Sequence, residues 1–423
     1  MLNSYISFPV GSNLHYYGSG SILQVKFQKS CFNKIATDIL TLCTGENRIK
    51  DIVDKLIVSS SHHLPTQDQK KRIQENVLSF ISSCCKKSFL VASDKPISRN
   101  YSITGERGKY YPRKITLELT NTCNLRCKHC FKNAGVQNTV HMDMDVIEYL
   151  CEKFSSRVYE VQLSGGEPFC HPEITTILEK LLQHFRVSIV TNGTLLGHID
   201  DEMLKKIRRI QVSLYGCNKE IFSKITNTGG HLFENVGDAI SRSTLSHENQ
   251  VTIILNDIVV NNLENYIRYS VKHGAKEIKF AISSPLGRAL DSSDIEWDSN
   301  IFDLDAIQRE LALLHEKYKN LVNVIVWTEE EEDKSSIYDI ISDIIPYCGA
   351  GFLDYCITER GTLKTCQLLT EDFELCNYNE LEERCLTLPS SQDDIFKNYA
   401  ASLQTDGVDP CSICSYLRKF MVS

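Results

Sequence analysis

Residues 120–130 carry three cysteines in the spacing C-x3-C-x2-C, at Cys123, Cys127 and Cys130. Three thiolates from one short loop can hold three corners of a cubane iron–sulfur cluster, which leaves the fourth iron open to a small chelating molecule. Structural zinc instead takes four ligands, and the nearest candidate for the fourth, His129, sits between two of the cysteines. The spacing therefore favours an iron–sulfur cluster over zinc.

Three further polar segments lie at or near the ends of successive predicted strands. The first contains the turn Gly165-Gly166-Glu167-Pro168, in which the glycines let another group approach the backbone closely and a carboxylate or carbonyl can accept from an ammonium. The other two contain Asn192 and Ser213. Taken singly these are ordinary turn residues. Placed after the cysteine loop, they indicate a ligand site at one edge of a sheet.

The cysteine loop resembles the C-x3-C-x-Φ-C signature of the radical S-adenosylmethionine (SAM) enzymes. The resemblance covers residues 114–290 and includes Pro285-Leu286-Gly287-Arg288-Ala289 after the sixth predicted strand. His129 falls at Φ, where the family usually has an aromatic ring near the adenine. By the resemblance, the residues that contact SAM are His129, Gly165, Gly166, Glu167, Pro168, Asn192 and Ser213, with Glu167 in the turn that meets the methionine amino group.

The resemblance also implies a mechanism. A [4Fe-4S] cluster on Cys123, Cys127 and Cys130 binds SAM at its open iron. One electron then cleaves the sulfonium to methionine and a 5′-deoxyadenosyl radical, which abstracts a hydrogen atom from the substrate. The cofactors carry this chemistry, and the protein positions the substrate and excludes water.

A second group of cysteines lies near the end of the sequence. Cys348 and Cys366 enclose Gly361 as C-x12-G-x4-C, and Cys411 and Cys414 form C-x2-C. This pattern resembles the SPASM extension of radical SAM enzymes or its shorter form, twitch, and implies one auxiliary [4Fe-4S] cluster. No cysteine follows Cys414, which favours twitch. A tetrathiolate zinc site is the alternative. Three other cysteines could each replace one of the four: Cys356, Cys376 and Cys385.

The composition limits the class of protein. The chain has 423 residues, 17 of them cysteine, and a formal net charge of −8. The negative charge argues against a general nucleic-acid binder, and no apolar run long enough for a membrane span occurs. The N-terminus does not resemble a signal peptide. We therefore expect a cytoplasmic protein whose cysteines stay reduced or bind metal.

From residue 114 onward, strands alternate with helical stripes, which predicts parallel βα units with their chemistry at the carboxyl ends of the strands. We expect an α/β fold whose core is a partial (β/α)6 barrel of the TIM type. The predicted strands cover residues 115–119, 159–163, 187–190, 210–214, 251–255 and 277–281.

The first 95 residues predict a separate winged-helix-like α+β module: a strand over 21–27, three helices and a short closing strand. Residues 36–46 and 49–56 resemble the PqqD-like recognition element, which captures a leader peptide as an added strand. Residues 23–95 hold 12 Lys/Arg and 7 Asp/Glu, an excess of +5. DNA binding is the alternative for this module. The predicted order is the module at 1–95, a linker at 96–113, the barrel at 114–300, a helix and acidic loop at 301–345, and a cysteine-rich cluster-binding domain at 346–423.

Together these features predict a radical SAM peptide maturase. Its partners would be a ribosomally made precursor peptide, bound through its leader, and an electron donor such as flavodoxin or ferredoxin. Hydrogen abstraction would lead to a cross-link, with a thioether from cysteine to carbon as the favoured product. One alternative is a radical SAM dehydrogenase, either resembling the anaerobic sulfatase maturases or acting on a small alcohol. The other is a zinc-dependent DNA-binding regulator.

Iron content tests the two cysteine groups. The reconstituted chain should hold about eight iron atoms, and about four after Cys348, Cys366, Cys411 and Cys414 are replaced by Ala, because each cubane holds four irons. Elemental analysis of anaerobically purified protein measures both values. A wild-type content of about twelve would contradict the twitch prediction, because two auxiliary clusters would then be present.

Overall fold

A computed structural model describes residues 2–26, 28–59, 66–135, 138–282, 287–298, 301–325, 350–368 and 374–387. These residues fall into two compact units. The first comprises residues up to Arg113 together with 383–387, and the second holds the remaining described residues from Lys114 onward. In the part of the chain so described, no helix is long and apolar enough to cross a membrane.

The N-terminal unit combines two small sheets with three helices. Strands β4, β3, β2 and β6 form one sheet in that order, and β1 pairs with β5 in the other. The third helix has a clear start signal. Thr66 accepts from the Gln69 N–H, and the Gln69 side chain accepts from the Thr66 N–H, a capping box that starts α3. The elements are β1 Tyr5–Ser7, β2 Asn13–Tyr17, β3 Gly20–Val25, β4 Gln28–Phe32, α1 Lys34–Leu42, α2 Ile49–Ser59, α3 Gln67–Lys86, β5 Val91–Ser93 and β6 Ser102–Gly105.

The linker prediction for residues 96–113 is wrong at its centre, because β6 pairs in parallel with β2. The polar side chains that make this stretch resemble a linker bind inside the unit. The buried ring of His15 contacts Thr104 Oγ1 at 2.9 Å and the Tyr111 carbonyl at 2.9 Å. Polar partners for these side chains exist only after the chain has folded back on itself.

The second unit begins with alternating strands and helices. All six strands predicted from the sequence are present as β7 to β12. Its elements are β7 Lys114–Glu118, α4 Met144–Phe154, β8 Glu160–Ser164, α5 Ile174–His184, β9 Arg186–Thr191, α6 Asp201–Leu204, β10 Arg209–Ser213, α7 Lys219–Thr226, α8 Phe233–Ser243, β11 Glu248–Ile254, α9 Asp257–Val260, α10 Leu263–Lys272, β12 Glu277–Ala281, α11 Leu304–Tyr318, β13 Asn323–Ile325, β14 Asp354–Ile357, β15 Thr362–Lys364 and β16 Cys376–Asn377. A last short helix, α12 Leu381–Arg384, contains the point at which the chain is divided between the two units.

One ten-stranded sheet organises this unit, in the order β13-β12-β11-β10-β9-β8-β7-β14-β15-β16. Strands β7 to β13 run parallel, β14 is parallel to β7, and β15 and β16 are antiparallel. The fold is therefore α/β with a mostly parallel central sheet, as a partial barrel of the TIM type requires.

The two faces of the sheet differ in polarity. Leu117 pairs with Leu163 on the apolar face, and both are fully buried. Thr116 and Gln162 pair on the opposite face, and Glu118 and Ser164 pair one step further toward the carboxyl ends. Since successive residues of a strand point to opposite faces, one face carries the core and the other carries polar groups that lead to the loops.

The prediction of a separate domain over residues 346–423 is corrected for the part that the structure describes, residues 350–368 and 374–387. Strand β14 pairs residue by residue with β7, from Asp354 against Lys114 to Ile357 against Leu117. An unpaired edge at β7 would expose a row of backbone donors and acceptors, and β14 covers it. This part of the C-terminal segment thus belongs to the core sheet. The acidic run at 329–333 and three of the predicted cluster ligands, Cys348, Cys411 and Cys414, lie outside the described residues.

Candidate active site

The cysteine loop follows directly after β7. Cys123 Sγ accepts from the Leu125 N–H at 3.4 Å, and Cys130 Sγ accepts from the Ala134 N–H at 3.4 Å. Cys127 is buried, and the other two cysteines are partly exposed. The backbone thus already supplies donors to two of the sulfur atoms, an arrangement that stabilises thiolate ligands of a metal centre.

Two distant segments hold this loop in place. The Arg126 and Lys128 N–H groups donate to carbonyls at the end of α7, and the guanidinium of Arg288 donates to the Cys127 carbonyl at 2.8 Å and the Ala134 carbonyl at 2.9 Å. Next to it, Gly287 has a φ of +54°, and a Cβ there would lie 2.5 Å from the Cys130 carbonyl oxygen. The Gly287-Arg288 turn after β12 is therefore shaped to clamp the loop.

Burial changes the pKa of two thiols of the loop. Burial raises the pKa of Cys127 well above its usual value, and the nearby Cys123 and Cys130 raise it further. Burial likewise raises the pKa of Cys123 to about 12. Grouped, desolvated thiols lose their protons when a cation takes the protons' place. Among the described residues, no three His, Cys, Asp or Glu side chains converge as ligands of a single ion do. The three thiols instead suit a cluster in which each binds its own iron.

The glycine turn packs its main chain directly against the cysteine loop. The Gly166 N–H donates to the Thr120 carbonyl at 2.6 Å, and the Glu167 N–H donates to the Thr122 carbonyl at 2.9 Å. A Cβ on Gly165 would lie 2.5 Å from the Thr120 oxygen, and one on Gly166 would lie 2.3 Å from the Thr122 oxygen. Only glycine permits this approach, so the two loops form one surface.

The side chain of Glu167 is held inside the protein. Its carboxylate is fully buried and accepts from the Thr191 hydroxyl at 2.7 Å, the Asn192 N–H at 2.8 Å and the Phe169 N–H at 3.3 Å. Burial raises the pKa of Glu167 to about 7, while these hydrogen bonds oppose the rise. The carboxylate therefore holds the loop after β9 against the glycine turn.

The other residues predicted to contact SAM lie at different places relative to the cysteine loop. Asn192 lies beside the cysteine loop, with its Nδ2 3.8 Å from Cys123 Sγ. Pro168 opens a short 3-10 helix, Pro168–Cys170, directly behind the turn. Ser213 ends β10 and pairs with Thr252, one strand farther along the same sheet edge than Asn192. The structure therefore brings the turn and Asn192 against the cysteines, and places Ser213 at the next strand end.

His129 stands in an aromatic setting that the sequence did not reveal. Its ring centroid lies 4.9 Å from that of Tyr215 and 4.7 Å from that of Trp297. Burial lowers the pKa of His129 to about 4, and the charge of Arg288 lowers it further. The ring is therefore neutral at physiological pH and can act as a flat apolar surface, as the aromatic residue at this position of the motif would.

A buried network of charges lies next to the loop. Lys132 Nζ is 2.5 Å from a Glu118 carboxylate oxygen and 3.1 Å from one of Glu359, and Lys364 Nζ is 3.4 Å from Glu118. All four side chains are nearly buried: Lys132 is 12% exposed, Glu118 1%, Glu359 6% and Lys364 5%. Sequence reasoning missed this network, although a glutamate at the end of an otherwise apolar strand was a signal for it.

The network connects the cysteine loop to the C-terminal segment. Cys356, on β14, faces Lys364 across the sheet. Burial, then Glu118, raises the pKa of Cys356, and Lys364 and Lys132 oppose the rise. Cys366 follows two residues after Lys364 and is partly buried. The auxiliary cluster remains a prediction, because three of its expected ligands are not among the described residues.

Comparison with known proteins gives this arrangement a class. Residues 117–286 match the radical SAM superfamily model. The matched range contains the cysteine loop, the glycine turn, Asn192 and Ser213. This part of the chain is therefore a radical SAM domain, and its three-thiol loop fits the [4Fe-4S] cluster and SAM that such domains use.

Two kinds of protein are similar to the chain. A GTP 3′,8-cyclase of Synechocystis sp. is 25% identical over 309 residues, which cover 70% of this chain and 91% of that protein. The subtilosin biosynthesis protein AlbA and the sporulation killing factor maturation protein SkfB, both of Bacillus subtilis, are 23% and 22% identical. The matches span 60% and 64% of the length of AlbA and SkfB.

Among solved structures, Streptococcus suis SuiB bound to SAM has a similar fold. It superposes with a TM-score of 0.58 at 13% identity and covers 90% of this chain and 88% of SuiB. At this level of identity the likeness concerns the fold alone.

Replacing Cys123, Cys127 and Cys130 by Ala should abolish formation of 5′-deoxyadenosine, because no thiolate then holds the cluster that reduces SAM. Chromatography of anaerobic reactions with dithionite measures the product. The Cys170→Ala variant, which changes a cysteine beside the glycine turn but outside the motif, is the matched control and should retain activity. Cleavage of SAM by the triple variant would contradict the assignment.

The buried charges lead to a stability prediction. Lys132→Met should lower the free energy of unfolding by about 3–5 kcal/mol, because it leaves two buried carboxylates without their nearest cation. The control is Lys128→Met on the same loop. The Lys128–Asp294 pair is 26% and 49% exposed, so its loss should cost less than about 1 kcal/mol. Denaturant titration measures both, and equal losses would contradict the prediction.

Proposed function

We propose that this chain is a radical SAM peptide maturase. The cluster on Cys123, Cys127 and Cys130 and its bound SAM supply a 5′-deoxyadenosyl radical. The substrate is a ribosomally made precursor peptide, from which one hydrogen atom is abstracted. A cross-link results, and a thioether between a cysteine sulfur and a carbon atom is the favoured product. Closure of that bond releases one proton and one electron, for which the auxiliary cluster is the proposed acceptor.

The observation that carries the proposal is the extent of the likeness to SuiB. It covers 90% of this chain, so it includes parts of the N-terminal unit as well as the radical SAM domain. SuiB has also been solved bound to its precursor peptide SuiA. The names of AlbA and SkfB likewise refer to the biosynthesis of a bacteriocin and the maturation of a killing factor. Peptide modification is the activity that accounts for the likeness to SuiB and for the similarity to AlbA and SkfB.

The N-terminal unit has a feature suited to binding a leader peptide. Strand β4 ends the order of its sheet and, within the described residues, pairs only with β3. Its first two residues, Gln28 and Lys29, are exposed. An extended peptide can add to such an edge through main-chain hydrogen bonds. The excess of lysine and arginine in this unit would favour an acidic leader.

The polar face of the core sheet suits a peptide in the same way. Gln162 and Ser164 are partly exposed on that face, near the cysteine loop. Side-chain amides and hydroxyls donate and accept hydrogen bonds, as do peptide groups. A substrate chain in the barrel would therefore find partners for its backbone without needing a charged pocket.

A second candidate activity is cyclisation of GTP, favoured by the 25% identity to a GTP 3′,8-cyclase over 91% of that protein. A triphosphate needs several free cations. Near the cysteine loop, Lys132 already pairs with Glu118 and Glu359, and Arg288 binds two carbonyls. This distribution of charge favours the peptide. Within the radical SAM class, the dehydrogenase is the other alternative, whereas the radical SAM domain at residues 117–286 argues against a zinc-dependent regulator.

Removal of residues 1–113 tests the division of labour. The truncated chain should still cleave SAM without peptide, because the cysteine loop and the glycine turn lie in the second unit. Modification of full-length precursor should fall at least about a hundredfold, since the leader no longer raises the local concentration of the core peptide. Mass spectrometry of the peptide and chromatography of 5′-deoxyadenosine measure the two activities.

A leaderless peptide is the internal control and should be modified equally slowly by the full and truncated chains. Equal modification of the full-length precursor by both chains would refute a role of the N-terminal unit in substrate binding. Consumption of GTP by the full chain, with no modification of any precursor, would support the cyclase instead.

A further inference from the structure

The side chain of Asn192 is fully committed to hydrogen bonds inside the protein. Its Oδ1 accepts from the Thr194 N–H at 2.9 Å and from the Thr194 hydroxyl at 2.6 Å. Its Nδ2 donates to Asn124 Oδ1 at 3.0 Å and points its other hydrogen toward Cys123 Sγ at 3.8 Å. A carboxamide has two donors and two acceptor sites, so no capacity is left over for a ligand.

The network also fixes which way the amide faces. Asn124 Nδ2 donates to Thr194 Oγ1 at 2.8 Å, so its own Oδ1 must accept. The Thr194 N–H can only donate, so the Asn192 oxygen faces it, and the Asn192 NH2 group faces Asn124 and the sulfur. Rotating the amide by 180° would put an oxygen against Asn124 Oδ1 and break four hydrogen bonds at once.

The backbone adds a second restraint. The Asn192 N–H donates to the buried carboxylate of Glu167 at 2.8 Å, and Asn192 itself is 4% exposed. Glu167 belongs to the glycine turn that packs on the cysteine loop. The loop that carries Asn192 is therefore joined to the cysteine loop twice, once through Glu167 and the glycine turn and once through Asn124. The side-chain N–H group of Asn192 cannot turn away from the sulfur without disturbing both loops.

We propose that Asn192 is a positioning residue for Cys123 whose N–H···S hydrogen bond raises the reduction potential of the iron–sulfur cluster. Reduction adds negative charge to the cluster, and part of it resides on the cysteine sulfur. A donor aimed at that sulfur stabilises the reduced form more than the oxidised form, which is how hydrogen bonds to sulfur tune such clusters. This role replaces the direct contact with SAM that the sequence predicted for Asn192.

This inference rests on the cluster assigned above and holds whatever substrate the enzyme takes. Its consequence is functional, because a cluster that is easier to reduce can accept its electron from a weaker donor. Asn192 needs no contact with SAM for this effect on the reduction potential. Binding of SAM is then left to the backbone of the turn at 165–168 and to groups on the other strand ends.

The test is a redox titration of the full, reconstituted chain by electron paramagnetic resonance, without SAM. The signal that changes when SAM is added identifies the cluster in question. Asn192→Ser removes the amide, and its equilibrium constant for reduction should fall about tenfold, a shift of about 59 mV to more negative potential for one electron. Asn192→Asp, which puts a negative oxygen next to the sulfur, should shift the potential further in the same direction.

Asn235→Ala is the matched control. Asn235 donates to the Thr194 carbonyl at 3.0 Å, so its loss disturbs the same loop but leaves the sulfur contact intact. Its potential should equal that of the wild type. The proposal is overturned if Asn192→Ser and Asn235→Ala have the same potential.

A measurement on the wild-type chain does not depend on how the variants fold. Pulsed paramagnetic resonance of protein labelled with 15N-asparagine should show a nitrogen coupling to the reduced cluster, and absence of the coupling overturns the inference.

If the wild-type chain binds no iron, the proposed function and this inference fail together. A loaded cluster with an unchanged potential contradicts this inference alone.

Discussion

The contact between the backbones of two loops controls the rest of the site. The glycine turn lies against the cysteine loop through the N–H groups of Gly166 and Glu167 and the carbonyls of Thr120 and Thr122. No side chain intervenes, because a Cβ at either glycine would overlap these carbonyl oxygens. The position of the three thiols therefore depends on the turn after the neighbouring strand.

Glu167 extends this arrangement to a third strand. Its buried carboxylate accepts from the backbone of Asn192 and from the hydroxyl of Thr191. The loops after β7, β8 and β9 thus form one hydrogen-bonded unit. A carboxylate without contact with solvent is costly unless it is fully hydrogen-bonded, and three donors meet that requirement here. The glutamate of the glycine turn therefore serves the geometry of the site through its side chain.

The C-terminal segment is joined to the site by charge. Lys132 follows the third cysteine of the loop, and its partners Glu118 and Glu359 come from the end of β7 and from the turn after β14. Buried ion pairs add little stability when complete but are expensive to break. They accordingly favour a single arrangement of the loop and the hairpin of β14 and β15. If an auxiliary cluster forms on Cys366, this hairpin relates its position to that of the first cluster.

The sequence by itself indicated the class of chemistry and the order of the elements. Cysteine spacing is a local property, so Cys123, Cys127 and Cys130 could be predicted as cluster ligands without a structure. The strands β7 to β12 were predictable because apolar runs and helical stripes are also local signals. The capping box at Thr66 is likewise a local feature, since both partners lie within one turn of the helix.

Only the tertiary structure decided the roles of polar side chains that are far apart in sequence. Glu167 turns inward, Asn192 faces a sulfur, and Lys132 pairs with residues on both sides of it in the chain. Each of these depends on which strand ends meet, and a residue's type and neighbours do not contain that information. The same reason explains the wrong linker prediction at residues 96–113. The sequence of β6 is typical of a linker, because its partners lie on β2, far away in the chain. The function of a polar group depends on the partners that folding brings to it. Apolar and cysteine patterns can be read from the sequence because the residues that form them are close together in the chain.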